Sequence, residues 1–323
     1  MIPTSVLRAT RAGFGLGRGT ARVLSTRFGK ACLAHRDQTG TRLQLRLVRE
    51  THDTESRLRS EMSWLRHLHS SHHLAVPFPQ QWVTGDMVSP PLDAGDAGMW
   101  RAVACSWVRG RHLHAGLDTR AMRRAGAFLA RMHGANRDVP PGIVNARPTW
   151  WIPRLFELAS TLRDLVQGTV APPADVPAGE VSDLRFAHDA LVTAYANLPA
   201  GEHAEGLIHT DAHWQNLRFT QQRVGLVDFE DFATGRFMLD VACLWGKVEQ
   251  RRNARQLLEA TLDGYASVSP LPQGYARDLH VMLAFRRFDY AGWVLSWPRR
   301  DVYAWGPGVL SGLRAYVEQH LAR

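Results

Sequence analysis

Leu207-Ile208-His209-Thr210-Asp211-Ala212-His213-Trp214-Gln215-Asn216, followed a few residues later by Val224-Gly225-Leu226-Val227-Asp228-Phe229, is the stretch that decides how this chain is read. It contains His-x-Asp-x-x-x-x-Asn, then two strand-like runs, Leu217 to Thr220 and Val224 to Phe229, turned by Gln221-Gln222-Arg223, and closes on Asp-Phe. The runs predict a β-hairpin. The five-residue step from Asp211 to Asn216 lets one loop present both side chains to one cleft. Asn216 and Asp228 offer side-chain oxygens from a rigid hairpin, the kind of small, hard donor set that Mg²⁺ prefers. Asp211 supplies a carboxylate able to accept or orient a hydroxyl. A lone His-x-Asp would read equally well as a capped turn; the joint spacing is far more specific.

The arrangement resembles the catalytic loop of protein kinases, and more closely that of the aminoglycoside phosphotransferase family with its choline kinase and homoserine kinase-like relatives. The likeness runs on through Asp228-Phe229-Glu230-Asp231, where those enzymes often carry an acidic residue in place of glycine, to Gly235 and Asp240-Val241-Ala242. It implies a two-lobed, protein kinase-like α+β fold. An N-terminal antiparallel β-sheet with one helix would form a nucleotide-binding lobe over residues 1–108, and a larger, mainly helical lobe over 109–323 would carry catalysis and substrate binding. It further implies ATP and Mg²⁺ as cofactors and transfer of the γ-phosphate to a hydroxyl. In that scheme Asp211 and His209 are catalytic, Asn216 and Asp228 hold the metal, and Asp240 braces the catalytic loop. Such chemistry asks mainly for positioning and charge neutralisation.

The upstream sequence is consistent with this reading. Ala21 to Phe28, Ala31 to His35 and Arg42 to Val48 form strand-like runs separated by turn residues, a β-meander. Leu58, Met62, Leu65 and Leu68 then repeat at helical spacing over Thr54 to His69, with Asp53 or Thr54 as cap. A kinase-like lobe needs a cation on its third strand and a helical Glu to hold it; Arg46 and Glu61 stand there. The alternative for Arg46 is an unpaired surface residue. The nucleotide loop is expected between the first two strands, around Gly29 and Lys30. The run Gly13-x-Gly15-x-Gly17-x-Gly19 gives no G-x-G-x-x-G register and is read as a flexible N-terminal segment. Trp82 to Val88 and Trp100 to Val108 are further strand candidates. Helices are expected up to Gly134 and over 152–166, 181–197, 254–265 and 275–295.

Composition narrows the remaining classes. The chain has 323 residues, 45% hydrophobic, and three scattered cysteines, which read as reduced thiols of a cytoplasmic protein without a disulfide framework. No run is long and apolar enough to predict a membrane span or signal peptide. The Arg-, Ser- and Thr-rich stretch before Asp37 has the composition of a transit peptide, but a first strand from Ala21 leaves little room for one. Net charge is +9, yet only Lys30 and Lys247 are lysines, and no stretch forms a recognisable nucleic-acid module, so none is expected as partner. His67, His69, His72 and His73 cluster without a nearby Cys or carboxylate and are read as a polar helix end rather than a metal site. The expected partner is a small-molecule hydroxyl acceptor, a neutral or zwitterionic metabolite alcohol at least as much as an antibiotic. Glu230, Asp231, Trp293 and Trp297 are candidate acceptor contacts. The alternatives are a stress-response Ser/Thr protein kinase and a nucleotide-binding pseudokinase.

Overall fold

In the N-terminal part, β1 (Gly19–Arg27), β2 (Lys30–Asp37) and β3 (Arg42–Arg49) pair antiparallel in sequence order. The β1–β2 turn needs Gly29, whose φ of +72° lies in the left-handed region that a side chain disfavours. α2 (Thr54–Ser70) follows, and β4 (Leu92–Asp93) and β5 (Met99–Ser106) complete a sheet of order β1-β2-β3-β5-β4. Along β3 the side chains alternate between faces. Leu43, Leu45 and Leu47 join a buried cluster with Leu33, Trp82 and Trp100, whereas Arg46 on the opposite face meets Glu61 of α2. A computed structural model describes residues 2–27, 29–51, 54–113, 116–144, 160–171, 178–199, 204–295 and 307–321. It divides into a first unit of Met1–Leu117, Gly134–Arg147 and Trp214–Phe232, and a second of Asp118–His133, Pro148–His213 and Ala233–Arg323.

Two expectations for the first unit need correction. The first twenty residues are not a loose segment: Thr4–Gly13 forms helix α1, and Val6 and Phe14 enter the cluster on the leucine face of the sheet. Gly13 serves close packing, since a Cβ there would sit 2.0 Å from the Trp82 ring. Its carbonyl also accepts from the Val83 N–H at 2.7 Å. Trp82 to Val88 is not a strand. Gly85, at φ +90°, closes a tight turn in which Trp82 N–H donates to Asp86 O at 2.6 Å and Gly85 N–H to Trp82 O at 2.7 Å. The hairpin Leu217–Phe219 and Val224–Leu226 forms as expected and belongs to this unit.

The second unit is mainly helical, with Thr119–Gly134, Ala178–Ala196, Met238–Gly246, Ala254–Ala266, Tyr275–Leu295 and Pro307–His320. A short antiparallel pair, Glu205–Ile208 with Ala233–Arg236, flanks the segment that begins at His209. Thr119–Gly134 packs against Ala254–Ala266 with almost no gap. A Cβ on Gly126 would lie 1.9 Å from Thr261 O, and one on Gly264 1.9 Å from Arg123 O. Met238–Gly246 is buried from Met238 through Leu244, so its sequence is apolar apart from Asp240 and shows no helical period. Ser160–Gln167 is helical; the rest of the segment expected from 152, together with Trp297, lies outside the described residues. No helix among the described residues is long and apolar enough to cross a membrane.

Candidate active site

In the second unit the backbone around Asp211 is fixed from below by one buried carboxylate. Asp240, fully buried near the start of Met238–Gly246, accepts the His209 N–H through Oδ2 at 2.9 Å and the Thr210 N–H through Oδ1 at 2.8 Å. Its Oδ2 also lies 2.9 Å from His133 Nε2, and His133 Nδ1 lies 3.0 Å from the Tyr265 hydroxyl. Thr210 is held at φ +69°, a conformation that a β-branched residue rarely adopts, with its carbonyl accepting from Cys243 Sγ at 2.9 Å. Such strain persists only where the surroundings over-determine it, and it clusters at functional sites. His209 is itself buried, and its Nδ1 accepts the Asp211 N–H at 3.2 Å. The imidazole therefore shapes the loop from within.

Asp211 is partly exposed, and Arg286 and His213 are among its partners. Arg286, from Tyr275–Leu295, donates to its Oδ1 at 2.6 Å, and His213 Nε2 lies 3.2 Å from Oδ2. Burial opposes its charged form, but the His213 hydrogen bond and the Arg286 charge outweigh this and hold the carboxyl below the ordinary range. Arg286 in turn donates to Asp289 at 2.7 Å. Lys247 lies close enough that, after burial, the Arg286 charge is the main influence lowering its pKa, and its ammonium sits 5.1 Å from the Tyr290 ring centroid. Sequence reasoning missed Arg286 and Lys247. One turn-spaced helix residue among dozens of arginines gives no signal, and neither lies within the motif.

In the first unit the Val227 N–H donates to Asn216 O at 3.0 Å, tying the two ends of the hairpin together. This brings the buried Asn216 and the exposed Asp228, at φ +71°, to one edge of the hairpin. Arg46 is buried and paired to Glu61, so it is not a stray surface residue. Burial works against its charge, but the Glu61 and Glu230 carboxylates hold its pKa up. Glu230 Oε2 lies 3.1 Å from Lys30 Nζ and 3.7 Å from Arg46 Nη1, and Asp231 is exposed. Lys30, Arg46, Arg49, Arg57, Glu61 and Glu230 line a cavity of about 150 Å³. A larger cavity, about 710 Å³, is lined by Trp107, Arg109 and Arg223 and holds none of the predicted site residues. Trp293 belongs to Tyr275–Leu295, and its side chain lies outside the description.

No curated protein matches the sequence. Among solved structures, an amicoumacin kinase in complex with AMP-PNP, Ca²⁺ and Ami is 18% identical, covers 97% of this chain and 92% of its own, and superposes with a TM-score of 0.77. A microcompartment-associated aminopropanol kinase is 21% identical over 94% of this chain and 93% of that one, also at 0.77. A choline/ethanolamine kinase family protein from Mesorhizobium loti is 16% identical over 99% and 98%, at 0.65. These likenesses show the two-lobed kinase-like fold. The profile of the phosphotransferase enzyme family matches residues 33–277, from within β2 to the start of Tyr275–Leu295. The chain belongs to the phosphotransferase enzyme family.

Proposed function

We propose that this phosphotransferase moves the γ-phosphate of ATP, with Mg²⁺, onto a hydroxyl of a small molecule in the cytoplasm. The observation that carries the reading is the bracing by Asp240 of the two backbone N–H groups that lead into Asp211, those of His209 and Thr210, which helps to fix an ionised carboxylate placed to accept or orient a hydroxyl proton. The residues present fit the cofactors. Asn216 and Asp228 are hard oxygen donors on segments tied together by the Val227 N–H, and Asp228 is held at φ +71°, a left-handed backbone that Asp tolerates. Lys30, Arg46, Arg49 and Arg57 around one cavity suit a polyphosphate, and the buried Arg46 Nε has a donor without a partner. When bound, Mg²⁺ would neutralise phosphate charge. The chain's own part is to hold the phosphates through Arg46 and Lys30, keep Arg46 aligned through Glu61, and orient the acceptor hydroxyl at Asp211.

Arg286 and Lys247 support a narrower reading of the acceptor. Arg286 and Lys247 balance the charges of Asp211 and Asp289, so the surroundings offer a polycation no net negative field. A zwitterionic or anionic alcohol would instead find a cation for its acidic group and Asp289 for an amine. Solved relatives named as aminopropanol and choline/ethanolamine kinases make small alcohols the natural first panel, by analogy of fold.

ADP release with Mg²⁺-ATP and a panel of amino alcohols, hydroxy amino acids, hydroxy acids, aminoglycosides and proteins tests both parts. The expected result is turnover with a small zwitterionic or anionic alcohol, lowered about 10²- to 10⁴-fold in Asp211→Asn. ATP binding without turnover above that variant on any acceptor overturns the catalytic reading and leaves a pseudokinase. Turnover confined to proteins overturns the small-molecule reading.

A further inference from the structure

We infer a second metal site, separate from the catalytic loop, at the C-terminal end of α2: His67, His72 and Asp138 form a three-ligand face for a borderline-soft divalent cation such as Zn²⁺. The histidine run has no carboxylate beside it in sequence. The fold supplies one from a turn of residues 135–138, which directly follows the helix Thr119–Gly134.

The geometry carries the assignment. His72 Nε2 lies 2.9 Å from Asp138 Oδ1, and His67 Nε2 lies 3.5 Å from the same oxygen. The three ligand atoms fall within 4.8 Å of one another, the only such group of His, Cys, Asp and Glu among the described residues. Tetrahedral Zn²⁺ with bonds near 2.0–2.1 Å sets its ligand atoms roughly 3.3 Å apart, the separation these contacts bracket. His67 Nε2 also lies 3.2 Å from Ala135 O. A neutral ring protonated at Nε2 has one proton there for two oxygens, whereas a cation held by the three ligand atoms meets the nitrogen lone pairs and the carboxylate oxygen directly. The rings cannot drift from this arrangement freely: they meet edge to face at 4.8 Å between centroids, and His67 stacks on the buried Trp64. His67 is largely buried, while His72 and Asp138 are open to solvent, which leaves an entry path and a position for water. Two imidazoles with one carboxylate favour Zn²⁺ over Mg²⁺, which keeps this site chemically distinct from Asn216 and Asp228.

A bound ion would pin α2 to the 135–138 turn. Glu61 stands about 9 Å along the same helix from His67, at 1.5 Å per residue, so the staple would fix the helix that aligns Arg46.

The test is calorimetric titration of chelator-stripped, full-length protein with Zn²⁺ in Mg²⁺ buffer, alongside His72→Ala and Asp138→Asn. Both substituted residues are partly exposed, and circular dichroism checks that each variant folds. The expected result is one Zn²⁺ equivalent bound by the parent protein and lost in both variants, with a Zn²⁺-dependent rise in Tm seen only in the parent. No Zn²⁺ uptake by the folded parent, or uptake unchanged in both variants, overturns the site.

Discussion

Asp211 is a carboxylate whose charge state is set by its neighbours. Burial alone would push its pKa up, and the His213 and Arg286 contacts reverse the sign. The functional ionised form is therefore complete at any pH above the ordinary carboxylate range and is lost only as pH falls below it. Arg286→Gln removes one of the stabilising contacts and leaves the burial penalty. The acid limb of the kcat/KM profile should then move to higher pH, and an unshifted limb would show that Arg286 does not govern this group. Asp240 is the complementary case. Its removal as Asp240→Ala strands the His209 and Thr210 N–H groups and His133 Nε2 in a fully buried place. Each stranded donor costs about 1–3 kcal/mol, so with three of them unfolding in urea should reveal a loss of at least about 3 kcal/mol, less for Asp240→Asn, which keeps one acceptor oxygen. At this scale the motif residues were legible because their spacing is chemical. Arg286, Lys247 and Asp138 were not, because only tertiary folding brings them to their partners.

Among the elements, the packing of Thr119–Gly134 on Ala254–Ala266 isolates a simple competition. Gly126→Ala gains about 1 kcal/mol of helix propensity but drives a Cβ to 1.9 Å from the Thr261 carbonyl, a backbone atom that no rotamer change can move. The clash should win, and Tm should fall by several degrees. Gly134→Ala is the control: its backbone is helical, at φ −61° and ψ −26°, and nothing lies within 4 Å of its Cβ. It should be neutral or slightly stabilising, and equal destabilisation by both would refute the close-packing account. Element legibility followed exposure. The half-buried strands β2 and β3 and the helix α2 showed their periods plainly, whereas Tyr275–Leu295, largely buried over 278–285, shows almost none. Met238–Gly246 is buried all round and showed none, and the pair Glu205–Ile208 with Ala233–Arg236 has strands too short for alternation to register. α1 was hidden behind its glycines, although Val6 and Thr10 stand one turn apart and are both fully buried.

For the molecule as a whole, the fold class was legible because a single motif, tied to a cation on a strand and an acid on a helix, constrains the order of everything between them. Function at this scale is a linkage between nucleotide, metal and stability. A ligand that binds only the folded state at about 100 times its Kd stabilises it by about 2.7 kcal/mol. ATP alone should already raise Tm, because Lys30 and Arg46 carry charge independently of any metal. Mg²⁺ should add to that rise through Asn216 and Asp228. Asp228→Asn is the informative variant: asparagine tolerates the left-handed backbone at φ +71°, so the substitution removes charge with little added strain. Thermal unfolding of the parent should show a Mg²⁺-dependent increment above ATP alone. In Asp228→Asn that increment should vanish while the metal-free ATP effect remains. An unchanged increment would remove Asp228 from the metal site, and loss of both effects would mean that the hairpin, rather than the ion, anchors the phosphates.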